Sequence, residues 1–549
     1  MKITVGDYLL NRLHEMGVGH IFGVPGDYNL GFLDQIVNHD KIEWLGTCNE
    51  LNGAYAMDGY ARVRGIGAMV TTFGVGELSA MNGIAGAYAE YVPVVQLVGI
   101  PSTHIRQNKA LVHHSLGTGD FDVFAAMFKH ISVAQTFLSQ TNAAQEIDRV
   151  LTTCWLKKRP VYIAIPSDIS YLKIDAPKGP LPLHFPPSNK DAVEELVERA
   201  ARLVINSSSP VALIDICVDR FRMGKLVEEF LERTSIPFAN MNMGKAILDE
   251  SNPRFIGNYN GDFSSPHVQE LVEKSDCVIS FGGLLSDFNT GGFTAKINAN
   301  VTIEIHSTFT RVKQSTYDHV IFSDVIPALS KKLSNFKYAK PFVKAKSKPV
   351  KPRDVPLTHT VFWDQMVPFL KPNSILLAEA GTSLFGTLQM KLPDQTLYIA
   401  QPLWASIGYT LGALLGASIA APDRQAVLFI GDGSFQLTAQ ELSTILRHQL
   451  NVTIFLIDND GYTVERLIHG PKMCYNDVQH WNYADLPKVF GKNVWVAEAK
   501  TEKELESVLS ERRKNAKKAA FIVVKMTRMD APEILIQIGK AVGERNKYK

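Results

Sequence analysis

Apolar residues in this chain gather into short runs of four to six, separated by stretches in which apolar positions recur every third or fourth residue. In the first part the runs occupy 20–24, 68–72, 94–98 and 161–165, with a further apolar stretch at 42–45. A second group lies at 211–214, 277–281 and 301–305, and a third includes 426–430 and 452–457. Unbroken apolar runs alternating with helical patterns predict parallel strands buried on both faces and wrapped by helices. The expected fold class is therefore α/β, with three doubly wound domains and mainly parallel sheets. Two breaks divide them. Pro177, Pro180, Pro182, Pro186 and Pro187 interrupt the periodicity within 173–189, and a Lys- and Pro-rich stretch covers 337–356. These place the domains at 1–180, 190–340 and 357–549, the last closing with an amphipathic helix over 531–549 that carries a basic tail. No solenoid period is visible.

At 549 residues the chain is too long for one core, which agrees with this division. A net charge of +2 gives no electrostatic case for nucleic acid or an anionic membrane, so a small-molecule partner is expected. The uncharged stretch 395–422 holds two prolines, two glutamines and many small residues, and reads as a buried Gly/Ala-rich helix rather than a membrane span. Asp7, Arg12, His14 and Glu15 fall where a signal peptide needs an apolar core, so the N-terminus reads as an amphipathic first helix. Cys48, Cys154, Cys217, Cys277 and Cys474 are scattered and form no C-x-x-C pair. That argues against a disulfide framework or a zinc site and fits a reducing cytoplasm.

The candidate chemistry concentrates after two predicted strands. The run at 426–430 ends in Gly431-Asp432-Gly433-Ser434, and that at 452–457 ends in Asp458-Asn459-Asp460-Gly461, one crossover's length later. In a parallel sheet both turns lie beyond the strands' carboxyl ends and converge. A carboxylate, a side-chain amide and glycine-freed carbonyls are hard oxygen ligands, and N–H groups opening the following helix suit phosphate. Together they point to Mg²⁺ on a diphosphate, although a lone GDG is more often a turn and a DND cluster a solvated loop. Asp27 follows the first strand in GVPGDYN, and Glu50 follows 42–45 in NELN; alone, each would be a turn or helix-start acid. Adjacent His113 and His114 are expected to point in different directions and suit two proton tasks rather than one metal. Glu465 lies just past the DNDG loop. Gly74-x-Gly76 lacks a third glycine, and Gly244-Lys245 lacks the rest of a P-loop, which demotes nicotinamide and kinase readings.

The motifs GVPGDYN, NELNGAYAMDGYAR, the His-His pair, QPLWASIGYT, GDGS and NDGYTVE, taken in order, resemble the thiamine diphosphate (ThDP)-dependent 2-keto acid decarboxylases acting on pyruvate, indolepyruvate or branched-chain acids. The likeness spans essentially the whole chain. It implies a pyrimidine-binding first domain, a structural or regulatory middle domain and a diphosphate-binding third domain, with cofactor sites shared between subunits of at least a homodimer, usually a homotetramer. It implies ThDP and Mg²⁺ as cofactors, and Asp432, Asn459 and the Gly461 carbonyl as metal ligands. At 458 the chain carries Asp where members commonly carry Asn. Thr382, Ala405, Ile407, Gly433 and Ser434 would complete the cofactor site, Ile407 holding the cofactor bent and the Ala405 carbonyl orienting its amino group. Glu50 would hydrogen-bond the aminopyrimidine ring. Asp27, His114 and Glu465 would move protons during aldehyde release, with His113 in support. Phe288, Ala380, Leu384, Val464, Ile468, Ile538 and Val542 would surround a broad range of aliphatic or aromatic 2-keto acids. Cys217 matches a cysteine linked to substrate activation in some pyruvate decarboxylases; a small buried thiol is the commoner role, and Tyr91 stands where regulated members can carry His. Rival readings are a carboligase or oxidase of the same fold, with flavin in the middle domain, and a catalytically silent ThDP-binding regulator.

Overall fold

The computed structural model describes residues 2–339 and 351–547, so 340–350 of the expected second linker lie outside the described residues. Three parallel sheets dominate. The first has the spatial order Glu43–Gly46, His20–Gly23, Gly67–Thr72, Val94–Ile100, Val161–Pro166 and Gln135–Phe137. The third has the same order of chain connection: Leu397–Ile399, Ile375–Ala378, Ala426–Gly431, Val452–Asp458, Ala519–Lys525 and Val494–Ala499. The middle sheet differs. Its parallel strands run Phe255–Tyr259, Phe238–Met241, Pro210–Ile214, Cys277–Phe281 and Thr302–Ile305, and Phe309–Val312 and Ser315–Asp318 add an antiparallel edge. Where the proline-rich break was expected to begin, Lys173–Asp175 instead pairs antiparallel with Lys2–Thr4, because the chain's first residues offer it a free edge.

Alternation along each strand assigns its two faces. In Ala426–Gly431, Leu428 and Ile430 join a core that also contains Phe22, Tyr55 and Met69 of the first unit, while Val427 and Phe429 enter a separate core with Phe362 and Phe455. The first and third units therefore share a hydrophobic interior within one chain. Its seam is the pairing of helix Glu50–Arg64 with helix Tyr409–Ala420, the Gly/Ala-rich segment of the sequence. Glycine makes this approach possible: a Cβ at Gly416 would lie 1.7 Å from the Ala56 carbonyl oxygen, and one at Gly59 2.2 Å from that of Ala413. A buried polar cluster crosses the same seam. Arg62 donates to Asp58 at 2.6 Å, to Glu90 at 2.9 Å and to the Ala400 carbonyl at 2.8 Å, and the Tyr409 hydroxyl donates to Asp58 at 2.5 Å. Removing one partner from such a set strands a buried charge, at a cost of about 3–5 kcal/mol. Among the described residues no helix is long and apolar enough to cross a membrane.

Candidate active site

The strand Ala426–Gly431 delivers Asp432 to the start of helix Asp432–Thr438, and its neighbour Val452–Asp458 delivers Asn459 and Gly461 beside it. Asp432 accepts from the Gly433 amide at 2.7 Å and the Gly461 amide at 3.0 Å. Burial pushes its carboxyl up to about 6, against the pull of those amides. The Asn459 carbonyl oxygen lies 3.1 Å from the Gly461 carbonyl and 3.2 Å from Asp432 Oδ1, so oxygen faces oxygen. Turning that amide over would create two hydrogen bonds; left as it stands, the Asn459 oxygen stands between a carboxylate and a carbonyl oxygen, the kind of donor set a hard cation takes. Gly461 has φ 115°, and a Cβ there would sit 2.2 Å from the Asn476 carbonyl oxygen, so the loop turns only on glycine.

These groups open into a cavity of about 260 Å³ lined by 380–385, Pro402, Ala405, Ile407, 431–434, Asn459, 461–465 and Phe288. It gathers Thr382, Ala405, Ile407, Asp432, Gly433, Ser434, Asn459 and Gly461, together with Phe288, Ala380, Leu384, Val464 and Glu465. Ala405 has φ 53°, a left-handed conformation that costs a non-glycine residue about 1 kcal/mol and is characteristic of functional loops. Ile468, Ile538 and Val542 do not line the cavity. They sit half-buried at the junction of helix Thr463–Ile468 with the closing helix Glu533–Arg545, which approaches closely at Gly539 and Gly543.

The second group of candidates lies at the carboxyl edge of the first sheet. Strand His20–Gly23 leads into the loop bearing Asp27, and Glu50 opens helix Glu50–Arg64 behind the cap Asn49, which accepts from the Asn52 amide at 2.8 Å. Glu50 is half-buried, burial raises its carboxyl pKa, and Gly76 leaves room for it: a Cβ there would lie 3.1 Å from Glu50 Oε1. The two histidines do not diverge. His113 Nε2 lies 2.7 Å from Asp27 Oδ2, and His114 Nδ1 lies 4.0 Å from Asp27 Oδ1. His114 adopts φ 62°, which breaks the alternation of an extended chain and swings both imidazoles to the same side. Tyr28 stacks on His113 at 5.0 Å. None of Asp27, Glu50, His113 and His114 lines the third unit's cavity.

Three thiamine pyrophosphate enzyme domain families match the chain: the N-terminal TPP binding domain at residues 3–124, the central domain at 197–331 and the C-terminal TPP binding domain at 379–524. A pyruvate decarboxylase of Candida albicans is 41% identical, over 99% of this chain and 99% of its own length. A pyruvate decarboxylase of Aspergillus fumigatus is 40% identical over 99% and 98%. An alpha-keto-acid decarboxylase of Mycolicibacterium paratuberculosis is 41% identical over 97% and 96%. This chain belongs to the ThDP-dependent 2-keto acid decarboxylase family.

Two groups at this decarboxylase's cavity, Glu379 and Phe385, were not among the residues its motifs pointed to. Glu379, fully buried beneath the cavity, accepts from the Thr410 hydroxyl at 2.6 Å and the Ala380 amide at 3.0 Å, and burial pushes it up to about 7. Its signal was an acid ending an apolar run, LLAE, the same cue that marked Asp432. Phe385 lies 5.8 Å from Phe288 and narrows the cavity with it. Cys217 is buried with its Sγ 3.6 Å from His306 Nε2. Burial pushes this thiol up to about 12 and His306 down to about 4, so both are neutral and the sulfur is a poor nucleophile.

Proposed function

We propose that this decarboxylase converts a broad range of 2-keto acids, pyruvate included, to aldehydes and CO₂ with ThDP and Mg²⁺, in a site completed by a second subunit. The observation that carries this reading is the pairing of one cavity, with the Asp432, Asn459 and Gly461 oxygens in its lining, with a separate, exposed acid–base group that does not reach it. Asp432, Asn459 and the Gly461 carbonyl would hold Mg²⁺, and the amides of Gly433 and Ser434 would meet phosphate oxygens at the helix start. Thr382, Ala405 and Ile407 would shape the seat above them. Bound ThDP supplies the electron sink that lets CO₂ leave.

Glu50 suits a shared proton with a weakly basic ring nitrogen, because its half-buried carboxyl is raised toward the working range. Asp27 and His114 would move protons at the reacting carbon with Glu465, and the His113 contact would orient Asp27. Since these first-unit groups do not line their own chain's cavity, they would serve the cavity of a partner, which requires at least a homodimer and suits a homotetramer. Phe288, Ala380, Leu384 and Val464 offer an apolar wall, with Ile468, Ile538 and Val542 behind the rim, and a slot of this kind separates chain lengths by only about 1–3 kcal/mol per methylene. The unpaired cysteines, two of them exposed, suit a cytoplasmic setting.

The test supplies apoprotein with ThDP, Mg²⁺ and a panel of 2-keto acids, and measures aldehyde, CO₂ and hydroxyketone separately. Aldehyde in step with CO₂ across several acids is expected. Dominant hydroxyketone, or a fully active monomer by sedimentation, would overturn the proposal.

A further inference from the structure

The end of strand Val452–Asp458 and the loop after it carry two carboxylates besides the proposed ligands, and each has a cation at or just beyond the end of the neighbouring strand Ala519–Lys525. Asp458 and Lys525 terminate neighbouring parallel strands and stand directly opposite in register. The Lys525 ammonium donates to the Asp458 carboxylate, and the Met526 amide donates to the Asp458 carbonyl at 2.9 Å. Asp460 pairs with Arg528 one step further out. The two pairs differ in what surrounds them. The Asp458 and Lys525 side chains are 4% and 32% exposed, whereas those of Asp460 and Arg528 are 38% and 53% exposed. Water screens the outer pair, so its charge balance matters little to anything bound nearby. The inner carboxylate is shielded from water, and Asp458 precedes Asn459, which faces Asp432 across the oxygen cradle.

We infer that Lys525 is a positioning residue for the diphosphate end of the site: by neutralising Asp458 it leaves Asp432 as the uncompensated carboxylate of the oxygen cradle. This rests on the proposed reading of the loop. Lys525 does not line the cavity, so it acts through Asp458 rather than by touching phosphate. Without it, a buried negative charge beside the cradle would add to the repulsion that the arriving diphosphate meets.

The test reads equilibrium ThDP binding in saturating Mg²⁺ by quenching of intrinsic fluorescence, alongside thermal melting of the cofactor-free protein. Lys525→Met is expected to weaken ThDP binding about tenfold, the scale of one uncompensated charge near a bound anion in a half-screened site. Lys525→Arg should bind as wild type. Adding Asp458→Asn to Lys525→Met should restore affinity to within about threefold of wild type, because the extra charge is gone although the lysine is still missing. Wild-type affinity in folded Lys525→Met would overturn the inference. So would tenfold weaker binding in the double variant, since Lys525 would then be needed for something other than cancelling Asp458. The double variant carries no buried charge at either position and remains decisive if Lys525→Met alone does not fold. Failure of the underlying reading looks different: Asp432→Ala would then bind ThDP as wild type.

Discussion

The first and third sheets have the same strand order and the same parallel sense, yet their carboxyl edges are furnished differently. The third edge buries its acid: Asp432 is 1% exposed, fixed by two backbone amides and faced by the Asn459 oxygen. The first edge leaves its acid out: the Asp27 side chain is 48% exposed and the neighbouring His113 side chain 59% exposed. A group that must hold an ion gains from burial and fixed geometry, because reorganisation is avoided when the ligand arrives. A group that must gain and lose protons needs a partner within reach, and access for the proton. Identical topology thus carries two opposite electrostatic environments, and the difference lies in the loops beyond the strands.

The hardest blow to this contrast would come from exchanging the roles of the two edges. Glu50→Gln should keep Mg²⁺-dependent ThDP binding and lower decarboxylation about 10²–10⁴-fold. Asp432→Ala should lose the binding itself. ThDP titration with turnover on the same preparations checks both, and near-wild-type turnover in Glu50→Gln would end the division of labour.

A smaller effect should appear in the core of the third unit. His359 is fully buried, neither ring nitrogen has a partner, and burial pushes it down to about 3. A depressed histidine contributes stability above the unfolded value near 6.5 and loses it as pH falls, because the unfolded chain takes a proton that the fold refuses. Between pH 7 and pH 5 the wild type should lose about 2 kcal/mol on this account. His359→Leu should remove that slope in denaturant titrations and leave ThDP affinity unchanged; an altered affinity would tie this core to the site.

The smallest effect concerns the middle unit's contribution to the third edge. Phe288→Ala should raise kcat/KM for phenylpyruvate relative to pyruvate about three- to tenfold. An unchanged ratio would remove Phe288 from the substrate wall.

The sequence was most legible where a strand and its ligands are neighbours. GDGS and DNDG follow apolar runs, so strand order alone brings Asp432 to Asn459. Pairings that depend on register are another matter. Nothing local in Lys525 announces Asp458, 67 positions away. The convergence of His113 and His114 on Asp27 depends on a left-handed φ at a histidine, which no neighbouring residue signals. Lys173–Asp175 precedes its prolines, and its pairing with Lys2–Thr4 is a long-range event that local composition hides. The segment 395–422 was legible as small and buried, but its partner, helix Glu50–Arg64, could be found only in three dimensions.

That seam has a consequence for tolerance. Gly59, Gly412 and Gly416 let backbone rest on neighbouring backbone or on the root of a side chain, with no long side chain between to absorb an error. The contact behaves as a machinist's datum, from which the spacing of the two sheets is gauged. A methyl group added at Gly416 would shift that reference by a large fraction of its own size, and the groups at both edges would move out of alignment together, however faithfully each was preserved.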